Sequence, residues 1–184
     1  LYTIIRATMV MDREIAADKL NDLIATLPSP GKPALPPVSD QKRVIISGAM
    51  CDFPAITDII EGAGGAVVGD EFCTGQRWFD QSVSLESDPL ESIADRYINR
   101  MSCPAKHRSL TDRQDNLTQL VNDTNACGVI FLLTKFCDPH AFDYPTLQRH
   151  LEENGIKQIL IETEESSLAS GQVATRLETF VQML

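Results

Sequence analysis

From residue 42 onward, short apolar runs rich in β-branched residues alternate with stretches whose apolar residues recur every three or four positions. These are the periods of a strand and of an amphipathic helix. The runs R-V-I-I-S (43–47) and C-G-V-I-F-L-L (127–133) read as continuous buried strands, the pattern of central strands in a parallel sheet. Residues 66–69 and 159–161 supply two shorter ones. Pro54 opens a helix bearing Ile56, Ile59 and Ile60 that stops at Gly62, Gly64 and Gly65. Asp88, Pro89 and Glu91 form an Asp-type capping box before a helix with Leu90, Ile93, Tyr97 and Met101. A further helix spans 111–122 through Leu117, Leu120 and Val121. Asp143 and Pro145 open the next, which carries Leu147 and Leu151 and closes at Asn154 and Gly155. Val173, Leu177, Phe180, Val181 and Leu184 mark the last.

Four strands separated by helices predict an α/β class: a doubly wound, mostly parallel four-stranded sheet with helices on both faces, as in a Rossmann or flavodoxin-like lobe. Ahead of it, residues 12–27 carry a helical stripe (Ala16, Leu20, Leu23, Ile24, Leu27) that Asp12 can cap. Five of the ten prolines then fall between Pro28 and Pro37, a density that blocks both helix and ladder. The expected division is therefore 1–41, an N-terminal helix and Pro-rich linker, and 42–184, an α/β lobe. The linker reads either as a long surface loop or as an interdomain connection. Because the chain starts at Leu1 within ordered-looking sequence, it is expected to be part of a longer protein with an N-terminal lobe ahead of it.

Charge removes some function classes. Sixteen Lys and Arg against 26 Asp and Glu give a formal net charge of -10, a field that repels nucleic acid and anionic lipid, so neither is an expected partner. Any anionic ligand needs a local device such as a helix N-terminus or a few placed cations. With 43% hydrophobic and 23% charged residues the composition is that of a folded globular chain. The five cysteines (Cys51, Cys73, Cys103, Cys127, Cys137) form no CxxC pair and no finger spacing. With no signal peptide or membrane-length apolar run in this sequence, a reducing cytoplasm is the expected compartment.

In doubly wound sheets ligands bind beyond the strand carboxyl ends. Three of the four predicted strand ends carry a cysteine: Cys51, Cys73 and Cys137. Each can be a small buried hydrophobe; converging, they suggest a soft thiolate site suited to Zn, Cu(I) or an iron-sulfur cluster. Arg77 and Lys135 are candidate anion holders or ordinary surface charges. His140 is a proton-transfer candidate or a structural hydrogen-bonding residue. No G-x-G-x-x-G follows the first strand and no G-x-x-x-x-G-K-[ST] is present, which weakens a nucleotide-binding reading.

The runs D-E-F-C-T-G-Q-R-W-F, K-F-C-D-P-H-A-F-D-Y-P-T-L, L-E-E-N-G-I-K-Q-I-L-I-E-T-E and G-Q-V-A-T-R-L-E-T-F-V resemble the C-terminal half of the 2-hydroxyacyl-CoA dehydratase D-component and benzoyl-CoA reductase subunit family. The resemblance implies an anaerobic enzyme component, lyase or oxidoreductase. In it a 4Fe-4S cluster, held by cysteines from two α/β lobes, passes low-potential electrons from an ATP-dependent activator iron-sulfur protein to an acyl-CoA substrate. It implies a homologous second subunit and a heterodimer. In that frame Cys137, in K-F-C-D-P, is the cluster ligand; Cys73, in C-T-G-x-R, is a nearby residue and a second candidate ligand; Gln172 faces the same crevice; and Arg77 and Lys135 are the cations to consider for the acyl-CoA. Cys51, Cys103 and Cys127 receive no ligand role, with Cys103 the one expected nearest the site. Arg176 and Glu178 read as an ion pair. Two alternatives stand beside this reading: a homologous partner subunit that does no chemistry, and a flavodoxin-like nucleotide-binding domain.

Overall fold

The computed structural model describes residues 2–27, 40–49, 54–100, 103–106, 110–164 and 171–184, and the chain divides into two compact units, Leu1–Gln41 and Lys42–Leu184. The linker prolines and Cys51 lie outside the described residues.

The first unit holds two helices where the sequence predicted one. α1 (Tyr2–Val10) precedes α2 (Arg13–Thr26). Asp12 caps α2 as expected, its Oδ1 accepting from the backbone N–H of Glu14 at 2.9 Å and of Ile15 at 3.3 Å.

In the second unit, β1 (Lys42–Gly48), β2 (Gly65–Glu71), β3 (Gly128–Thr134) and β4 (Lys157–Thr163) form one sheet in the order β2-β1-β3-β4, every pair parallel. Helices α3 (Pro54–Gly62), α4 (Gln76–Phe79), α5 (Pro89–Asn99), α6 (Leu110–Thr124), α7 (Asp138–Glu153) and α8 (Gly171–Met183) connect and follow the strands. α6 and α7 cover one face, where Leu117, Val121, Leu147 and Leu151 pack on Ile45, Val129 and Phe131. α3 and α8 pack together over the other: a Cβ placed on Gly65 would meet Ile60 and Val181. The fold is therefore α/β and doubly wound, and the strand order changes direction between β1 and β3. There β1 ends against its neighbour, since a Cβ at Gly48 would sit 2.2 Å from the Leu132 carbonyl oxygen. Among the described residues no helix is long and apolar enough to cross a membrane.

Several local features differ from the pattern-based expectation. The sequence predicts a helix opening at Asp143 and Pro145, whereas α7 starts at Asp138, with Pro139 in its first turn and Pro145 inside it. Asp138-Pro139 is the true opening, because a proline in the first turn loses no helical hydrogen bond. Pro145 is tolerated because it and Ala141, whose carbonyl it leaves without a helical donor, both face solvent. A bulge also interrupts the ladder: Val44 pairs with Val67 but Ile45 with Gly69. The extra residue, Val68, shifts the register by one, so that Glu71 rather than Asp70 comes alongside Ser47 and faces α6. Cys127, expected at the start of a buried strand, is instead exposed just before β3, its thiol donating to the Arg43 carbonyl at 3.2 Å. Arg176, expected to pair with Glu178, instead donates to the Leu160 carbonyl at 2.8 Å.

Candidate functional site

The carboxyl edge of the sheet carries a buried network of charges. Ser47 Oγ donates to Glu71 Oε2 at 2.6 Å. Arg113 reaches from α6 and grips both Glu71 oxygens at 3.3 Å, while its Nη1 donates to Asp143 Oδ2 of α7 at 2.7 Å. Arg77 Nη2 lies 3.1 Å from Glu71 Oε1. Glu71 is 1% exposed, Arg113 2%, Arg77 3% and His140 5%, so these charges have left water and depend on each other. Burial opposes ionisation of Glu71, yet Arg77, Arg113 and the Ser47 hydroxyl outweigh it and hold the carboxyl below its ordinary value. His140 is affected the other way. Burial first, then the positive charges of Arg77 and Arg113, lower its pKa to about 3 despite the nearby Glu71. It is a neutral imidazole at neutral pH, with no hydrogen-bond partner at Nε2 among the described residues.

The loop after β2 is shaped by Asp70, whose Oδ1 accepts from the N–H of Phe72 at 3.1 Å and of Gln76 at 2.9 Å. The chain passes so closely that a Cβ at Gly75 would lie 1.9 Å from that oxygen. The turn delivers Cys73 and Arg77 to the network's edge, where Arg77 Nη1 donates to Cys73 Sγ at 3.5 Å. Cys103, in the segment between α5 and the 3₁₀ turn Pro104–Lys106, meets Cys73. Interaction with Cys103 first, then burial, push the Cys73 proton affinity up. The same interaction, opposed by burial and helped by the Ala105 N–H, Arg77 and Arg113, lowers that of Cys103.

Cys137 is the N-cap of α7, half-buried and free. It follows Phe136, which has φ 67° and is 94% exposed. A bulky residue in the left-handed region is strained, and such strain concentrates where a loop must aim a side chain. Among the described residues no three of His, Cys, Asp and Glu gather as a metal site. Of the remaining candidates, Lys135 is half-exposed and ion-paired with Glu164, and Gln172 is exposed in the first turn of α8. Both candidate anion holders, Arg77 and Lys135, thus have a carboxylate partner.

A family model described as 2-hydroxyglutaryl-CoA dehydratase, D-component, matches residues 1–184. The chain belongs to this family. Its relatives include the (R)-phenyllactyl-CoA dehydratase beta subunit of Clostridium sporogenes, 28% identical over 98% of this chain and 47% of the relative. Also similar are the lactoyl-CoA dehydratase beta subunit of Anaerotignum propionicum and a benzoyl-CoA reductase subunit of Thauera aromatica, each 28% identical over all of this chain and 48% of the relative. The chain spans about half the length of these relatives. Of the residues singled out from the sequence of this member of the D-component family, Arg77 and His140 lie in the buried network and Cys73 at its edge. The sequence motifs missed Ser47, Glu71, Arg113 and Asp143. Arg113 falls on a helix otherwise read through its leucines, and nothing in its spacing separates a buried arginine from a solvated one.

Proposed function

We propose that this chain is the C-terminal lobe of an iron-sulfur subunit of an acyl-CoA dehydratase or reductase, and that Cys137 supplies one thiolate to a 4Fe-4S cluster whose other ligands come from elsewhere in the protein. The observation that supports it is Cys137 itself: a half-buried thiol at the N-terminus of α7, set there by the strained turn at Phe136. Backbone N–H groups at a helix N-terminus favour negative charge on a sulfur. Cys137 offers the kind of donor such a cluster takes, a free cysteine sulfur. When bound, such a cluster supplies one-electron transfer to the acyl-CoA thioester, with an ATP-dependent activator as electron source and a homologous subunit as partner. The residues of this chain hold the ligand in place: Arg113 ties α7 to α6 through Asp143 and to β2 through Glu71. His140, three residues along the helix, stays neutral and so places no added positive charge beside the thiolate.

The test compares two cysteines in the full-length protein, prepared without oxygen. Cys137→Ala is expected to lose bound iron and acyl-CoA activity together, since removing a thiolate opens the cluster to solvent. Cys127→Ala, at an exposed position, is expected to keep both and to change stability by less than about 0.5 kcal/mol. Equal iron content in the two variants would overturn the assignment.

A further inference from the structure

We propose that the outer stripe of α5 is the surface on which a second protein chain docks, a chain that presents an apolar groove edged by lysine and arginine. The inference rests on the pairing with a homologous subunit proposed above, and names where on this lobe that partner sits.

α5 (Pro89–Asn99) lies on the lobe the wrong way round for a solvated helix. Leu90, Ile93, Tyr97 and Ile98 recur at i, i+3, i+7 and i+8, the stripe that an amphipathic helix normally turns to the core. Here they face outward, 77%, 45%, 46% and 54% exposed. The opposite stripe, Ser92, Arg96 and Arg100 at four-residue intervals, faces inward, with Ser92 buried and the two arginines half-buried. Arg96 holds this orientation, its Nε donating to the Gln81 carbonyl at 2.9 Å and its Nη2 to the Trp78 carbonyl. The arrangement is costly on both sides. Apolar side chains stay in water, and the buried Ser92 hydroxyl has no hydrogen-bond partner among the described residues. Covering the outer stripe with another surface removes the first of these costs. The stripe also has the make-up of an interface centre. Its aliphatic side chains accompany a tyrosine whose ring centre lies 5.6 and 5.0 Å from the guanidinium carbons of Arg96 and Arg100, so the ring is held in place before anything binds.

Charge selects the occupant. Between residues 81 and 100 the exposed charges are Glu86, Asp88, Glu91 and Asp95, all acidic. A second copy of this chain, at a net charge of -10, brings acid onto acid, and anionic lipid is repelled in the same way. A basic rim is the complement. Such rims act mainly on how fast two separate chains find each other. A lobe tethered in the same polypeptide is already at high local concentration and gains little from them. The separate partner chain is therefore the occupant.

The test uses the full-length protein co-expressed with its homologous second subunit and purified without oxygen. Size-exclusion chromatography with light scattering first establishes that the two associate; if they do not, the pairing itself is refuted and this surface with it. A photoreactive Ile93→p-benzoylphenylalanine is then irradiated in the complex, and the cross-linked peptide is identified by mass spectrometry. The expected product joins position 93 to a peptide of the second subunit. A product within the same chain or between two copies of it, or no product, overturns the proposal. In parallel, Leu90→Arg with Ile93→Arg is expected to weaken association on the order of 100-fold. The melting temperature and iron content of the separate subunit should not change, since both positions are exposed in it. Glu91→Lys with Asp95→Lys is expected to slow association about tenfold at low salt. Undiminished affinity in the first variant, or an unslowed rate in the second, overturns the proposal while leaving the pairing intact. So does a lowered melting temperature in the first, which would place the stripe inside the subunit.

Discussion

Replacing Glu71 by alanine is expected to destabilise the full-length protein by about 3–5 kcal/mol, the scale seen when one member of a buried ion network is removed. A melting temperature lower by roughly 10 °C would follow for a domain of this size. The cause is what remains behind. Arg113 and Arg77, 2% and 3% exposed, would keep their charges in a site that no longer holds the carboxylate they share. Ser47 would lose its acceptor as well. The double change Glu71→Ala with Arg113→Leu is expected to recover part of the loss, since taking out both charges leaves less that is uncompensated. Thermal or urea denaturation of the wild-type, single and double variants checks the series. A single variant within about 1 kcal/mol of wild type would mean that water reaches the site and that the network does not anchor this edge of the sheet. The same carboxyl gives an acid limb. Its folded pKa lies below the ordinary value of 4.5, so its contribution is complete above that pH and is lost as pH falls below it toward the folded pKa.

A second and separate acid limb is expected from His140, at higher pH. In the unfolded chain the imidazole takes a proton below its ordinary pKa of 6.5, while in the fold it resists until about 3. Between those values the unfolded state binds the extra proton, so stability falls as pH falls through this window. By pH 5 the loss should reach about 2 kcal/mol. His140→Leu removes both the titration and the buried Nε2 that has no partner among the described residues, a burial that costs on the order of 1–3 kcal/mol. The variant is expected to match or exceed wild-type stability at pH 7 and to show a flat profile from pH 6.5 to 5. Urea midpoints measured across that range decide it: an unchanged slope in the variant would assign the limb to another group.

The α/β class and every strand were legible because parallel central strands leave continuous apolar runs, and β3 is the plainest of them. Capping chemistry was equally readable: Asp12 and Asp88 each hold two N–H groups, as their positions foretold. The helix with two prolines was not, because Pro139 and Pro145 are both acceptable openers and only the solvent exposure around Pro145 shows which one lies inside. The site divided along the same line. Cysteines announce themselves by type and by place after a strand, which is why Cys73 and Cys137 stood out in the sequence. Glu71 owes its role to a one-residue bulge at Val68, and a bulge leaves no mark in an alternation pattern already blurred by burial on both faces.

Pro145 carries a consequence for how a lesion in the core would be felt. With no N–H at that position, α7 has a missing rung between its first two turns and the remainder. The turns that bear Cys137, His140 and Asp143 are therefore joined to the rest of α7 by one helical bond fewer, and the 2.7 Å contact of Arg113 with Asp143 is among the contacts that pin them. Such a segment can open by itself, at a free energy below that of the whole domain. Damage to the charge network would then be felt first as a wandering thiol at the tip of α7, in a molecule whose sheet is still intact.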